Sequence, residues 1–317
     1  MTQKRTFLSI LLMMVVCFVG IVWLQFQSFR GTTKESTPSS SPVIVSAGIK
    51  SGGISAIDQP EFESVESADQ YLNNDGFGIA IEQKGATKFY PFQILVWHHA
   101  VNDIASETPI LISYSPLAGA GAVFERTNQS SIIEFGVTDR VHQNDLLLMD
   151  KKTKSLFYPL AHKMIEGELS GASFSFYPFT IMSWNDFKIK HEEGKVLSHK
   201  NSVEQDYTLN PYEAYEADHR ILFPLSTKDD RLPMKEMIIG IELGTGQKAY
   251  PLKRIESAQT IQDSIGDNRL SIEQEKKSAI IHVYLIDASG AHIKELSFIK
   301  SYWFAWAAAN PQTDLFE

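Results

Sequence analysis

Two stretches of this chain carry one pattern, and that repetition constrains the fold more than any other feature. In the first, Gly78-Ile79-Ala80-Ile81 leads to Lys88-Phe89-Tyr90-Pro91-Phe92, then Ile94, then Asn102-Asp103. In the second, Gly240-Ile241-Glu242-Leu243 leads to Lys248-Ala249-Tyr250-Pro251-Leu252, then Ile255, then Gln262-Asp263. The separation from tyrosine to aspartate is the same in both. Two apolar, strand-like segments follow each: Ile110–Tyr114 with Ala122–Phe124, and Leu270–Ile272 with Ala279–Val283. A recurring supersecondary unit must bury its apolar face against neighbours, so a repeat of this size sets the architecture before any single residue does.

Proline is favoured at the first position of a helix, so Pro91 predicts a helix running through Val101, with Asn102-Asp103 closing it. Short apolar runs bounded by turn residues predict strands at Phe77–Glu82, Asp145–Asp150, Met237–Glu242 and Ile280–Leu285. Asn128-Gln129-Ser130 matches a glycosylation acceptor but reads as a turn. The aromatic segment Tyr302–Ala307 is too short to span a bilayer and reads as core. The expected fold class is α+β and β-rich, built from an internally duplicated strand–helix–strand–strand unit at about 76–126 and 238–286. Both copies lie within a single globular domain, 46–317.

The N-terminus predicts location. Lys4-Arg5 precede an apolar run, Phe7–Leu24, long enough to cross a hydrocarbon core as a helix. No small-x-small cleavage site follows it, and Val16 before Cys17 does not suit lipid attachment. Residues 1–30 therefore read as an uncleaved transmembrane signal anchor, and the Ser/Thr/Pro-rich residues 31–45 as a flexible linker. The expected location is the cell membrane, single-pass, with the bulk of the chain extracytoplasmic. The membrane is an expected partner through the N-terminal helix, and a small-molecule or protein partner is left open. A net charge of −9 is poorly suited to the counterion release that drives nucleic-acid binding.

Features present in only one copy of the repeat are candidates for chemistry, and they are His98, His99 and the Ser115–Gly119 segment. His98 shares a helical face with Ile94 and Val101 and is expected to be buried; His99 is expected to be partly exposed. Neighbours on a helix point about 100° apart, so the two rings do not readily face one ion. Asp103 has a counterpart, Asp263, in the copy without histidines, which favours a structural role. Asp145 and Asp150, flanking an apolar strand, invite the same reading. Ser115 with His98 as base would be a nucleophile pair, but no nucleophile elbow surrounds it. Cys17 is the only cysteine, so the globular part can hold neither a disulfide nor a thiolate-bound metal.

Trp97-His98-His99-Ala100-Val101-Asn102-Asp103 and Tyr114-Ser115-Pro116-Leu117-Ala118-Gly119 together resemble the signature of the domain of unknown function 3179 family. Typical members read Trp-His-Glu-Ile-Val-Asn-Asp and Tyr-Cys-Pro-Leu-Cys-Gly. Asp145–Asp150 with Thr153–Phe157, Asp206-Tyr207, Asp230–Glu236 and Tyr302–Ala308 extend the likeness over nearly all of the chain beyond the linker. The resemblance implies a metal or redox centre in typical members. Here Ser115 and Ala118 stand for the two cysteines, His99 for a glutamate, Phe157 for a tryptophan and Pro159 for a common glutamine. Serine and alanine neither capture a thiophilic metal nor cycle to a disulfide. No metal and no cofactor are expected. The leading expectation is a binding or accessory protein of the cell envelope with a degenerate Cys/His site. Ligand-binding candidates are His98, Ser115, Ala118 and Gly119. The alternative is a metal-dependent or His/Asp-based enzyme around His98 and Ser115, with His98, Asp103 and Ser115 as catalytic candidates.

Overall fold

The computed structural model describes residues 43–49, 53–82, 87–201 and 205–317. The expected anchor and nearly all of the linker lie outside the described residues. Among those described, no helix is long and apolar enough to cross a membrane. The chain is mostly sheet with a few short helices.

Strands β1 (Ile44–Ser46) and β2 (Phe62–Ser64) and helix α1 (Val65–Ala68) lead into a hairpin of β3 (Phe77–Ile81) and β4 (Lys88–Pro91), paired Ile79 with Tyr90. Helix α2 (Phe92–His98) begins directly after Pro91, whose missing N–H costs nothing at a helix start. The helix stops at His98, not at Val101, because His99 adopts the left-handed conformation (φ 59°) and returns its N–H to Leu95. Asn102 and Asp103, expected to close the helix, instead lie inside strand β5 (Ala100–Ala105). Strand β5 continues antiparallel into β6 (Thr108–Ser115) and β7 (Ala120–Glu125).

An excursion follows. Strands β8 (Thr127–Asn128) and β9 (Ser131–Ile132) form a small hairpin over the predicted turn at Asn128-Gln129-Ser130. Then β10 (Phe135–His142), β11 (Asp145–Asp150), β12 (Leu156–Tyr158) and β13 (Lys163–Glu166) add to β1 in the order β1-β10-β11-β12-β13. Phe135 and Phe157 of this sheet pack with Phe124 and Phe174 in one aromatic cluster. The chain returns as β14 (Thr180–Ser183), antiparallel on β3 with Ser183 opposite Phe77. Helix α3 (Trp184–Lys190) follows, its N-terminus capped by the Ser183 side chain, which accepts from the Asp186 N–H. Strand β15 (Lys195–Leu197) then lies parallel to β4, Lys195 beside Lys88.

After helix α4 (Glu213–Ala217) the same path recurs. Strands β16 (Met237–Leu243) and β17 (Gly246–Pro251) pair Ile239 with Tyr250, matching Ile79 with Tyr90. Helix α5 (Leu252–Ala258) starts after Pro251 and ends at a left-handed Gln259 (φ 61°), the position of His99. Strands β18 (Thr260–Ile265), β19 (Asn268–Gln274) and β20 (Ile281–Ile286) form the following meander, extended by β21 (His292–Glu295). Strand β22 (Ile299–Tyr302) returns antiparallel on β16, Tyr302 opposite Met237, and helix α6 (Trp303–Ala309) succeeds it as α3 succeeds β14. Strand β23 (Asp314–Leu315) closes parallel to β17, Asp314 beside Lys248. The order β14-β3-β4-β15 thus corresponds to β22-β16-β17-β23, position for position. The correspondence takes in strand–helix–strand returns that the sequence pattern did not mark.

One clasp is common to both halves. Asp103 accepts from Lys88 Nζ and from the Tyr90 hydroxyl, both at 2.6 Å. Asp263 is met by Lys248 Nζ at 2.6 Å and by the Tyr250 hydroxyl at 2.9 Å. A mostly buried carboxylate is tolerated only with such partners, so each clasp ties the strand before the helix to the strand after it. Strand β16 is also fitted to α6 through Gly240. A Cβ there would sit 2.3 Å from the Trp306 ring, so only glycine lets this fully buried indole lie on the strand.

Candidate functional site

The Ser115–Gly119 turn joins β6 to β7 and is held from three sides. Ser115 Oγ accepts from the Ala118 N–H at 3.4 Å, and Ala118 O accepts from the Tyr302 N–H at 2.8 Å. Leu117 O accepts from the Tyr215 hydroxyl at 2.7 Å, and that hydroxyl accepts from Asn144 Nδ2 at 2.9 Å. Gly119 takes a positive φ of 62° with the Tyr302 ring against its Cα, where a Cβ would come within 3.0 Å. Ala118 is fully buried in the apolar cluster around Trp303 and Phe304.

Behind this turn lies Asp145. Gln143 and Asn144 both have positive φ (52° and 57°), the backbone of a two-residue primed hairpin turn between β10 and β11. That turn fixes the register, with His142 opposite Asp145. It turns the Asp145 carboxyl into the interior, where it has no exposed surface. A niche of about 10 Å³, room for one water-sized guest, is lined by Ser113, Ser115, Ala122, Asp145, Pro159 and Ile299 among others. Neither Asp145 oxygen meets a donor with hydrogen-bond geometry, and the nearby Tyr158 hydroxyl is likewise buried without a partner. Burial pushes the Asp145 carboxyl up to about 7; the Ser115 hydroxyl and the Leu146 N–H offset only part of that cost. Burial, reinforced by the Asp145 charge, also raises the Tyr158 phenol well above its ordinary value.

His98 stands elsewhere. Its Nδ1 is 2.9 Å from Ser55 O and its Nε2 is 2.6 Å from the Tyr207 hydroxyl. A carbonyl only accepts, so Nδ1 carries the proton and Nε2 accepts from Tyr207. Burial holds the imidazole below the ordinary histidine range, against the opposing pull of Ser55 O. The ring forms one wall of a cleft of about 280 Å³, lined also by Ser55, Asp58, Gln59, Trp97 and Asn201. The loop on this side is pinned to β5: the Ile57 N–H donates to Ala100 O and the Asn102 N–H donates to Ile57 O. Asn102 Nδ2 and Lys151 Nζ both reach Asp58. Most of the cleft wall is polar.

His99 is not partly exposed as its helical position suggested. The left-handed turn that ends α2 swings its ring inward to full burial, with Nε2 3.3 Å from the Tyr212 hydroxyl and Nδ1 unpartnered. Burial, with a contribution from His98, lowers it to about 3, so it is neutral.

The three catalytic candidates therefore lie in three settings: His98 in the cleft, Asp103 in a clasp, and Ser115 at the niche. Among the described residues, His98 lines the cleft and Ser115 the niche, and neither lines the other's cavity. Of the ligand-binding candidates, Ser115 faces the niche, while Ala118 and Gly119 are packed against Trp303 and Tyr302. Ser115 shares the lining of the niche with Pro159 and Asp145. Asp145 is the residue that sequence reasoning set aside, and the available signal was a carboxylate opening an otherwise apolar strand. Among the described residues no group of three or more His, Cys, Asp and Glu is arranged to hold a metal ion.

Comparison with known proteins adds the lineage. No curated protein and no solved structure matches the chain. A family model described as "Protein of unknown function (DUF3179)" matches residues 51–313, from the loop that supports His98 through helix α6 to the residue before β23. That span holds the cleft, the niche and both clasps, and the chain belongs to the DUF3179 family.

Proposed function

We propose that this protein is a membrane-anchored, extracytoplasmic binding or accessory protein that takes a small polar ligand in the cleft beside His98. The cleft itself carries this reading. At about 280 Å³ it approaches the size of small-molecule sites, and its polar walls are held in place before any ligand arrives. The position marked by the family motif, at Ser115, has room for about one water and takes no organic substrate. His98 acts here as a pillar: both ring nitrogens are engaged, by Ser55 and Tyr207, so it is no free base. The apolar run Phe7–Leu24 after Lys4-Arg5 supports the anchored arrangement. The matched strand orders, registers and clasps support an origin of the two halves by duplication.

The test is native mass spectrometry of the full-length chain, released from detergent after incubation with amino acids, sugars and nucleosides. One class of polar compound is expected to remain bound one to one, and to be lost in Gln59→Trp, which fills the cleft from an exposed position. Absence of any retained compound, chemical turnover of the bound one, or a stoichiometric metal lost in His98→Ala would reject this reading.

A further inference from the structure

Taking the cleft beside His98 as a binding site, we propose that its ligand is a neutral sugar: one pyranose ring rests on Trp97, and its hydroxyls bond to the amides of Gln59 and Gln205. Charge narrows the choice first. Asp58 is the one acidic residue among those lining the cleft. Lys151 Nζ lies 2.5 Å from both Asp58 oxygens, and Asn102 Nδ2 donates to one of them at 2.9 Å. Burial keeps the His98 ring uncharged at neutral pH, and both its nitrogens are engaged. The wall thus carries no unbalanced charge. An ionic ligand would give up hydration there and meet no free charge of opposite sign.

The groups left free are amides. Gln59 is exposed and Gln205 half-buried, and among the described residues neither side chain has a hydrogen-bond partner. A primary amide offers an acceptor and two donors, which matches a hydroxyl that both donates and accepts. Asn201 is already spent. Its Nδ2 donates to Glu61 O at 3.1 Å and to Ser198 O at 2.7 Å, and its Oδ1 accepts from the Glu61 N–H at 2.9 Å. Uncharged amides on a polar wall select a hydroxyl-rich, neutral molecule over an amino acid, whose two charges find no partner.

Trp97 supplies the platform. It is half-buried, packs on the apolar cluster around Tyr90, and donates its Nε1–H to Leu209 O at 3.1 Å. The indole is therefore fixed, its donor is used, and its remaining surface lines the cleft. The C–H face of a pyranose packs on such a surface while the hydroxyls face the polar wall. At the corresponding positions of the second strand–helix unit stand Ser257 and Ala258, so this wall belongs to the first unit alone. A volume of about 280 Å³ lies at the small end of ligand sites, which favours a single sugar ring over a nucleoside.

The experiment is tryptophan-fluorescence titration and native mass spectrometry of the full-length chain, in a detergent without a sugar headgroup. The probes are methyl glycosides of the common hexoses, with the matching uronic acids and amino sugars as charged counterparts. Amino acids and nucleosides represent the other polar classes. One neutral glycoside is expected to bind one to one, its charged counterparts about tenfold more weakly, with an affinity that salt does not change. Gln59→Leu and Gln205→Leu are each expected to weaken it about tenfold, and Trp97→Leu to abolish both binding and the fluorescence change. The two glutamine variants remove no contact within the described fold, so they keep the test readable if Trp97→Leu unfolds. An amino acid or nucleoside bound in place of any glycoside would overturn the sugar assignment and leave the cleft a binding site. So would a glycoside affinity that depends on salt or is unchanged in both glutamine variants. No compound of any class bound would reject both readings.

Discussion

Replacing Asp145 by asparagine keeps the shape of the side chain and deletes its charge, which makes the cost of burying that charge measurable. In the folded chain the carboxyl is raised from its ordinary 3.8 to about 7 by burial. The folded state therefore binds the proton more tightly than the unfolded chain does. The contribution of Asp145 to stability is greatest below about pH 4 and falls as pH rises from about 4 to about 7, then levels off. At about 1.4 kcal/mol per pH unit, the full difference is roughly 4 kcal/mol, and it is an upper limit because the charged site relaxes. Asp145→Asn has no such titration. Urea unfolding followed by tryptophan fluorescence should show the variant gaining on the natural chain across that window. The gain should reach a few kcal/mol at about pH 8 and vanish near pH 4. A difference between the two proteins that does not change with pH would mean that Asp145 is paired in solution, and would refute the reasoning.

The other expectations rest on single contacts. His99, fully buried and lowered to about 3, resists protonation in the fold, so stability should fall as pH drops below about 6.5. His99→Leu should flatten that acid limb in a pH series of urea midpoints. Gly240→Ala places a Cβ against Trp306 and should cost about 1–3 kcal/mol, read from the unfolding midpoint. Asp103→Ala strands Lys88 and the Tyr90 hydroxyl in the interior and should cost about 3–5 kcal/mol. Asp263→Ala should cost less, because Asp263 is 20% exposed against 10% for Asp103. The double change Lys88→Met with Asp103→Leu should recover much of the loss.

Much of the sheet was legible in the sequence, because strands such as Ile110–Tyr114 and Met237–Ile241 are apolar runs between turn residues. The Tyr-Pro and aspartate spacing was legible as a recurring pattern, and the structure shows a contact behind it: in each stretch the tyrosine hydroxyl meets the aspartate. The end of α2 was not legible. His98-His99-Ala100 does not announce a left-handed residue, since no glycine marks the position, although histidine is among the residues that adopt one more often than most. The same turn reverses the expected exposure of His99. The niche was only half legible. Ser115 and Pro159 were singled out as departures from a family pattern, but Asp145 looked like a strand-end cap. Its inward orientation depends on the primed turn at Gln143-Asn144, and neither residue is glycine, so the usual mark of such a turn is missing.

The seven-stranded sheet runs β23-β17-β16-β22-β7-β6-β5, so a strand made near the chain's end lies between strands from the first half and strands from the second. That sheet cannot assemble progressively during synthesis: β5–β7 await Ile299–Tyr302 as a neighbour, and β17 awaits Asp314-Leu315 at its edge. Pairings so remote along the chain make for slow closure, and until Ile299–Leu315 has been made the open strand edges invite the wrong neighbours. A chaperone or a translocation machine that keeps the polypeptide unfolded until β22 and β23 have been made would remove that hazard.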